Sequence, residues 1–99
     1  MKKDTIVTVV LLNGAELIGR YIGEDFNSIT IYKPRMVQAS AQGVGLVNGV
    51  CMTGKEPDGD FQLPKTGVLF MVETVNELAN GWTKQTTGLD LPPQTGIIS

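Results

Sequence analysis

Apolar and β-branched residues fill the run Thr5–Leu12 (TIVTVVLL), which has neither glycine nor proline and so predicts a strand. Val7, Val9 and Leu11 fall on one face, and Ile6, Val10 and Leu12 on the other. Both faces therefore call for cover. Asn13-Gly14 follows. This pair predicts a two-residue type I′ turn, which needs positive φ at both central positions. The return strand, Ala15–Gly23, sets Leu17, Gly19 and Tyr21 on one face and Glu16, Ile18, Arg20 and Ile22 on the other. Gly19 in mid-strand marks a bend, a bulge or a close backbone approach, and Gly23 marks a second such point. A strand with two glycine hinges can curl and close a small barrel.

Glu24–Ser28 is a polar turn around one aromatic, Phe26. A third strand runs over Ile29–Lys33, with an extension past Pro34 to Gln38 that must be an edge or a bulge, because proline cannot donate to a ladder. Ala39–Gly43 is a turn of small residues. The apolar stretch Val44–Thr53 pairs back on Arg35–Gln38, forming an extended hairpin. Gly54–Asp60 has loop chemistry. Phe61–Leu63 is a short strand, Pro64–Gly67 a one-turn connector, and Val68–Val72 a fully apolar strand. Thr74-Val75-Asn76-Glu77 has the form of a capping box. Val75, Leu78, Ala79 and Trp82 then recur at helical spacing, predicting a helix over Val75–Thr86 with Gly88 as its stop and Trp82 as the anchor that holds it on the sheet. Leu89–Ser99, with Pro92-Pro93, is an extended or disordered tail. The expected architecture is one mostly β domain, 1–88: a five-stranded, strongly bent antiparallel SH3-like barrel with a short C-terminal helix, followed by the tail 89–99.

Length and composition narrow what such a domain does. Ordering 99 residues costs on the order of 150 kcal/mol of conformational entropy. An apolar content of 41% offsets that with little to spare. Small β domains often gain further burial by associating with copies of themselves. The net charge of −2 is not that of a protein that coats nucleic acid, although one small polar or basic pocket remains compatible with it. Absence of histidine removes imidazole acid–base catalysis, Ser-His and Cys-His pairs and most zinc sites. No other spacing argues for catalysis, so no enzyme activity and no cofactor are expected. Asp58-Gly59-Asp60 with Glu56 lacks the ligand series of a calcium loop and reads as an ordinary loop. Cys51 stands alone in an apolar context and reads as a small buried hydrophobe. A single cysteine and no signal-like segment suit the cytoplasm. No apolar run approaches membrane-spanning length, so no membrane association is expected. Arg20 and Arg35 are expected to lie over apolar surface or in ordinary ion pairs.

Val7-x-Val9-x-Leu11-x-x-Gly14, followed by Gly19, Tyr21, Asp25, Ile29 and Ile31, resembles the first conserved motif of Sm-like proteins. About twenty-five residues carry this likeness. The second motif departs from the family: Lys65 and Gly67 are its plausible relics, and the helix is C-terminal rather than N-terminal. Across nearly its whole length the chain looks similar to small Sm-like proteins of tailed phages of marine cyanobacteria, through Val44-Gly45-Leu46, Leu63-Pro64, Asn76-Glu77-Leu78-Ala79 and Gly88–Pro93. The resemblance implies a cyclic homo-oligomer in which Val68, Leu69, Phe70, Met71 and Val72 pair with a neighbouring copy. It also implies single-stranded RNA as a ligand, with Phe26 stacking on a base, Asn27 reading a base edge, Asp25 holding the loop and Lys65 meeting a phosphate. The same residues also read as a self-solvating turn, an exposed loop lysine and, for Val68–Val72, the central strand of a monomer. A structural or adaptor ring in phage assembly, or one that engages a host protein without nucleic acid, stands as the alternative. If the chain is phage-encoded, its setting is the host cytoplasm.

Overall fold

The computed structural model describes residues 1–47 and 59–87. The expectations for Cys51, for the remainder of Val44–Thr53 after Val47, for Gly54–Asp58, for Gly88 and for the tail Leu89–Ser99 lie outside the described residues. The chain forms β1 (Ile6–Leu11), β2 (Glu16–Glu24), β3 (Ser28–Ser40), β4 (Gly43–Val47), β5 (Asp60–Pro64), a 3₁₀ turn (Lys65–Gly67), β6 (Val68–Glu73) and helix α1 (Asn76–Thr87). The strands make one antiparallel sheet in the order β4-β3-β2-β1-β6, with β5 also paired to β3.

The first hairpin departs from the expected turn. Gly14 has φ +88° but Asn13 does not share the positive φ, so the turn is not type I′. Gly14 N donates to Leu11 O, and Leu11 N donates to Ala15 O. This is the three-residue alternative, a type I turn closed by a left-handed glycine. Asn13 Oδ1 accepts from Ala15 N at 2.9 Å and holds the corner. An Asn-Gly pair suits either turn. The cap by the Asn13 side chain accompanies the longer one.

Gly19 does what its mid-strand position suggests. A Cβ there would stand 3.1 Å from Tyr32 O and 3.4 Å from Pro34 Cα. The β2–β3 register shifts at this point, between Ile18↔Arg35 and Arg20↔Tyr32, and again between Tyr21 and Gly23. The first shift absorbs Pro34 into a bulge, so β3 runs through the proline to Ser40. Lys33 takes the kink, with φ +48°, a left-handed conformation uncommon outside glycine.

That kink also splits β3's other edge. Ser28–Tyr32 pairs with β5, and Met36–Ser40 pairs with β4. β3 is thus one continuous strand with two partners along that edge, in a sheet of six strands among the described residues. Among the described residues no pairing joins β6 to β4 or β5, so the sheet is bent but does not close into a barrel. The connector Lys65–Gly67 carries β6 directly to β1, where Val9 faces Met71, instead of returning it beside β5.

The two sheet faces bury different things. Val7, Val9, Leu17, Tyr21, Ile29, Ile31 and Leu63 form the main core. On the opposite face Ile18 is buried, and α1 contacts β2 and β4. Trp82 is the anchor: it is 2% exposed, and its indole N–H donates to Lys33 O at 2.8 Å. Lys33 Nζ in turn donates to Thr86 O at 3.0 Å, a favourable place for an ammonium at a helix C-terminus. Arg35, expected to lie over apolar surface or in an ordinary ion pair, is buried in this region, with a guanidinium N–H donating to Pro34 O. Its pairing opposite Ile18 sets it on the face that carries the helix. The expected capping box does not form. The helix starts at Asn76, with Val75 O accepting its first bond from Ala79 N. Thr74 belongs to the ladder instead: its N–H donates to Ile6 O, and its hydroxyl pairs with that of Thr8 at 2.9 Å.

Candidate functional site

The β2–β3 loop is held by one carboxylate. Asp25 Oδ1 accepts from Asn27 N and Ser28 N, each at 2.8 Å, and from Ser28 Oγ at 3.2 Å. Asp25 N donates to Ser28 O at 2.9 Å and closes the turn. Aspartate suits this position because its short side chain satisfies the N–H groups that a tight turn leaves unpaired. Donation by the Asn27 and Ser28 N–H groups holds the Asp25 carboxyl below the usual aspartate range.

Phe26 stands at the tip of this turn and is 92% exposed. Next to it, Lys65 N donates to Asn27 O at 2.8 Å and ties the 3₁₀ connector to the loop. Lys65 Nζ lies 2.8 Å from Glu24 Oε2, while Tyr21 OH donates to Glu24 Oε1 at 2.8 Å. The Lys65 contact, with the Tyr21 bond second, holds the Glu24 carboxyl below its ordinary value. Burial, reinforced by Glu24, raises the Tyr21 phenol.

Asp25, Phe26, Asn27 and Lys65 thus come together at one end of the sheet. Glu24 and Tyr21 join them and were not singled out from sequence. The signal was Gly23: the register shift between Tyr21 and Gly23 brings residues 21 and 24 within reach of each other. The arrangement presents a flat aromatic face and the Asn27 amide. Lys65 is engaged by Glu24, and two carboxylates flank one ammonium, so the patch carries no surplus of positive charge. Such a surface can stack a planar group and can bond its edge, but its attraction for phosphate is small.

Val68, Leu69, Phe70, Met71 and Val72 all lie on β6, an edge strand of the sheet. Met71 and Val68 pack against the core, whereas Leu69, Phe70 and Val72 are exposed. Arg20 stacks over the Tyr32 ring at 4.4 Å and faces Asp4 at 3.5 Å, an ordinary surface pair. Among the described residues no group of three or more His, Cys, Asp or Glu side chains is placed to hold a metal ion. No helix among them is long and apolar enough to cross a membrane. Comparison with protein-family models, with curated proteins and with solved structures finds no match to the chain.

Proposed function

We propose that this chain is a self-associating, ring-forming Sm-like protein that stacks single-stranded RNA on its β2–β3 loop, with Phe26 as the platform. The observation that carries this reading is the 92% exposure of Phe26 on a turn whose backbone is pinned by Asp25. A large aromatic in that position buries nothing in the monomer. With its backbone pinned, the loop loses little further freedom on binding. Base stacking on an aromatic is worth about 1–3 kcal/mol per base. A ring repeats the site, so modest single contacts add through multivalency. The bent hairpin at Gly19 supports the Sm-like reading, as does a sheet that among the described residues is not closed by its own strands. A neighbouring copy, rather than the chain's own strand, then covers the open edge. Asn27 reads a base edge, and Lys65 releases Glu24 to meet a phosphate.

A second reading is favoured by Glu24 and Asp25. Their carboxylates repel phosphate, which suits a ring that acts as a structural piece or adaptor in phage assembly, or that contacts a host protein without nucleic acid. Fluorescence anisotropy with labelled U-rich and A-rich oligomers at low salt separates the two. RNA binding gives micromolar affinity that weakens as salt rises. Phe26→Ala then lowers affinity about tenfold, the equivalent of about 1.4 kcal/mol, with the native mass unchanged. No binding at low salt rejects the RNA reading in favour of the adaptor, and an unchanged affinity removes Phe26 from the site.

A further inference from the structure

The helix covers its sheet face unevenly. Its C-terminal half is seated through Trp82 and Thr86. Beside its N-terminal half a trough stays open, made of three adjoining hollows of about 310, 370 and 320 Å³ that all share Leu78 as a wall. The floor follows from the strand pairing. Ala39 lies opposite Val44, Val37 opposite Leu46, and Val10 is flanked by Glu16 on one side and Phe70 on the other. One row therefore crosses the strands β4-β3-β2-β1-β6 on the face that carries Ile18 and α1, apolar throughout except for Glu16 at its middle. Val44 is 54% exposed, Phe70 53% and Val75, on the helix side, 65%. Together these bare side chains reach roughly the few hundred Å² at which an apolar patch marks a contact. The carboxylates of Glu16, Glu73 and Glu77 also line the trough. Among the described residues no lysine or arginine lines it, and none of the three glutamates has an ion-pair partner.

We propose that this trough docks a basic amphipathic helix of another protein, with its apolar side on the row and a lysine or arginine over Glu16. The contact is separate from the RNA reading and from any ring, because the trough lies on a face within one chain and leaves the backbone edge of β6 out of it. Shape selects a helix. The row runs across the strands, so an added strand cannot follow it, whereas a rod laid beside α1 can. Five strands at about 4.8 Å spacing make the row about 19 Å long, the length of roughly thirteen helical residues. Apolar side chains one and two helical turns apart then fill the hollows on either side of Leu78. Charge selects a cationic partner. Three unmatched carboxylates around an apolar floor repel an acidic segment and attract lysine or arginine at the border of the apolar side. The chain does not supply such a helix itself. α1 carries Lys84 as its single cation, and residues 88–99 hold Asp90 and no lysine or arginine. Two copies meeting through this face would set their glutamates against each other, and an anionic lipid surface would meet the same repulsion.

A synthetic amphipathic peptide of about fourteen leucines and lysines, titrated into the full chain and followed by amide chemical shifts, tests this. The expected result is saturable micromolar binding with shifts centred on Val44, Leu78 and Phe70. Val44→Ser and Val75→Ser replace exposed side chains and should each lower the affinity about tenfold. Glu16→Gln should lower it about two- to fivefold. Circular dichroism checks that each variant keeps its fold. Absence of saturable binding, or shifts centred elsewhere, overturns the proposal. Equal binding of a scrambled peptide overturns it in favour of unspecific charge attraction, and equal binding of a peptide with glutamate in place of lysine removes its charge argument and overturns it too. Binding that appears only after removal of residues 88–99 overturns it in favour of the chain's own tail as occupant. Contacts of residues 48–58 with Val44 in the unbound chain overturn it in favour of that segment. A lower native mass for Val44→Ser than for the parent overturns it in favour of a second copy. Binding to phosphatidylglycerol vesicles that Val44→Ser abolishes overturns it in favour of a lipid surface.

Discussion

Replacing Trp82 with alanine should release α1 while the sheet survives. Trp82 and Thr86 are the helix residues that are buried, and the main core of Val7, Val9, Leu17, Tyr21, Ile29, Ile31 and Leu63 does not include either. The substitution removes a side chain that is 2% exposed and the bond from its indole to Lys33 O. Aromatic-to-alanine changes in packed sites cost about 3–5 kcal/mol. The abandoned Lys33 carbonyl sits at the half-buried β3 kink, where water can reach it once the helix leaves, so little is added for an unmet acceptor. A loss of that size exceeds what a twelve-residue helix holds by itself in water. It need not exceed the stability of the whole domain, roughly 5–15 kcal/mol. Hydrogen exchange read by mass spectrometry resolves the outcome by segment. Amides of Leu78–Thr86 should lose protection while those of β1, β2 and β3 keep it, and the far-ultraviolet dichroism should lose its helical part. Trp82→Phe keeps most of the packing but not the donor, and should cost roughly 1–3 kcal/mol with the helix retained. Undiminished protection in α1 of the alanine variant would refute the reasoning, because some other contact would then be seating the helix.

Two further outcomes follow from the same geometry. Gly19→Ala should destabilise by about 1–3 kcal/mol, because its Cβ meets the Tyr32 carbonyl at 3.1 Å on a backbone that cannot yield without moving the Pro34 bulge; a thermal midpoint equal to that of the parent would place the bend elsewhere. The Asp25 turn should loosen with acid. Its carboxyl titrates below the ordinary value in the folded state, so its stabilising contribution is complete above the unfolded pKa and is lost as pH falls through the lowered folded one. Amide exchange at Asn27 and Ser28, corrected for the intrinsic pH dependence, should rise across that acid range, and Asp25→Ala should show the loosened behaviour at neutral pH.

The elements that local chemistry specifies were legible before any coordinates. A run of β-branched residues without glycine or proline marks β1, Asn13-Gly14 marks the turn into β2, Gly19 marks a bend, bulge or close approach, and Val75, Leu78 and Trp82 mark a helix with one large anchor. Asp25-Phe26-Asn27 was recognisable as a turn around an unburied aromatic. What escaped depends on neighbours remote in sequence. Thr74 looks like a helix cap until Thr8 and Ile6 are seen to claim its hydroxyl and its N–H. Arg35 looks like a surface cation until the helix is laid over its face. Glu24 acquires a role when the connector brings Lys65 to it, 41 residues later in the chain. Pro34 suggested an edge or bulge; that β3 continues beyond it depends on Lys33 accepting a positive φ.

The kink at Lys33 has one more consequence. Val47 faces Met36, and Gly59 accepts from Lys33 N, so both ends of the intervening 48–58 stretch are tied to neighbouring points on one strand. Those points lie three residues apart on β3, so at most roughly 10 Å separates them, and the kink shortens that span. The cost of closing a loop across a fixed gap grows with the logarithm of its length, about 0.6 kcal/mol for each doubling. This position is therefore a natural port for grafting: a peptide or small domain spliced between Val47 and Gly59 has its ends clamped at a set spacing while the core on the far side of β3 keeps its packing.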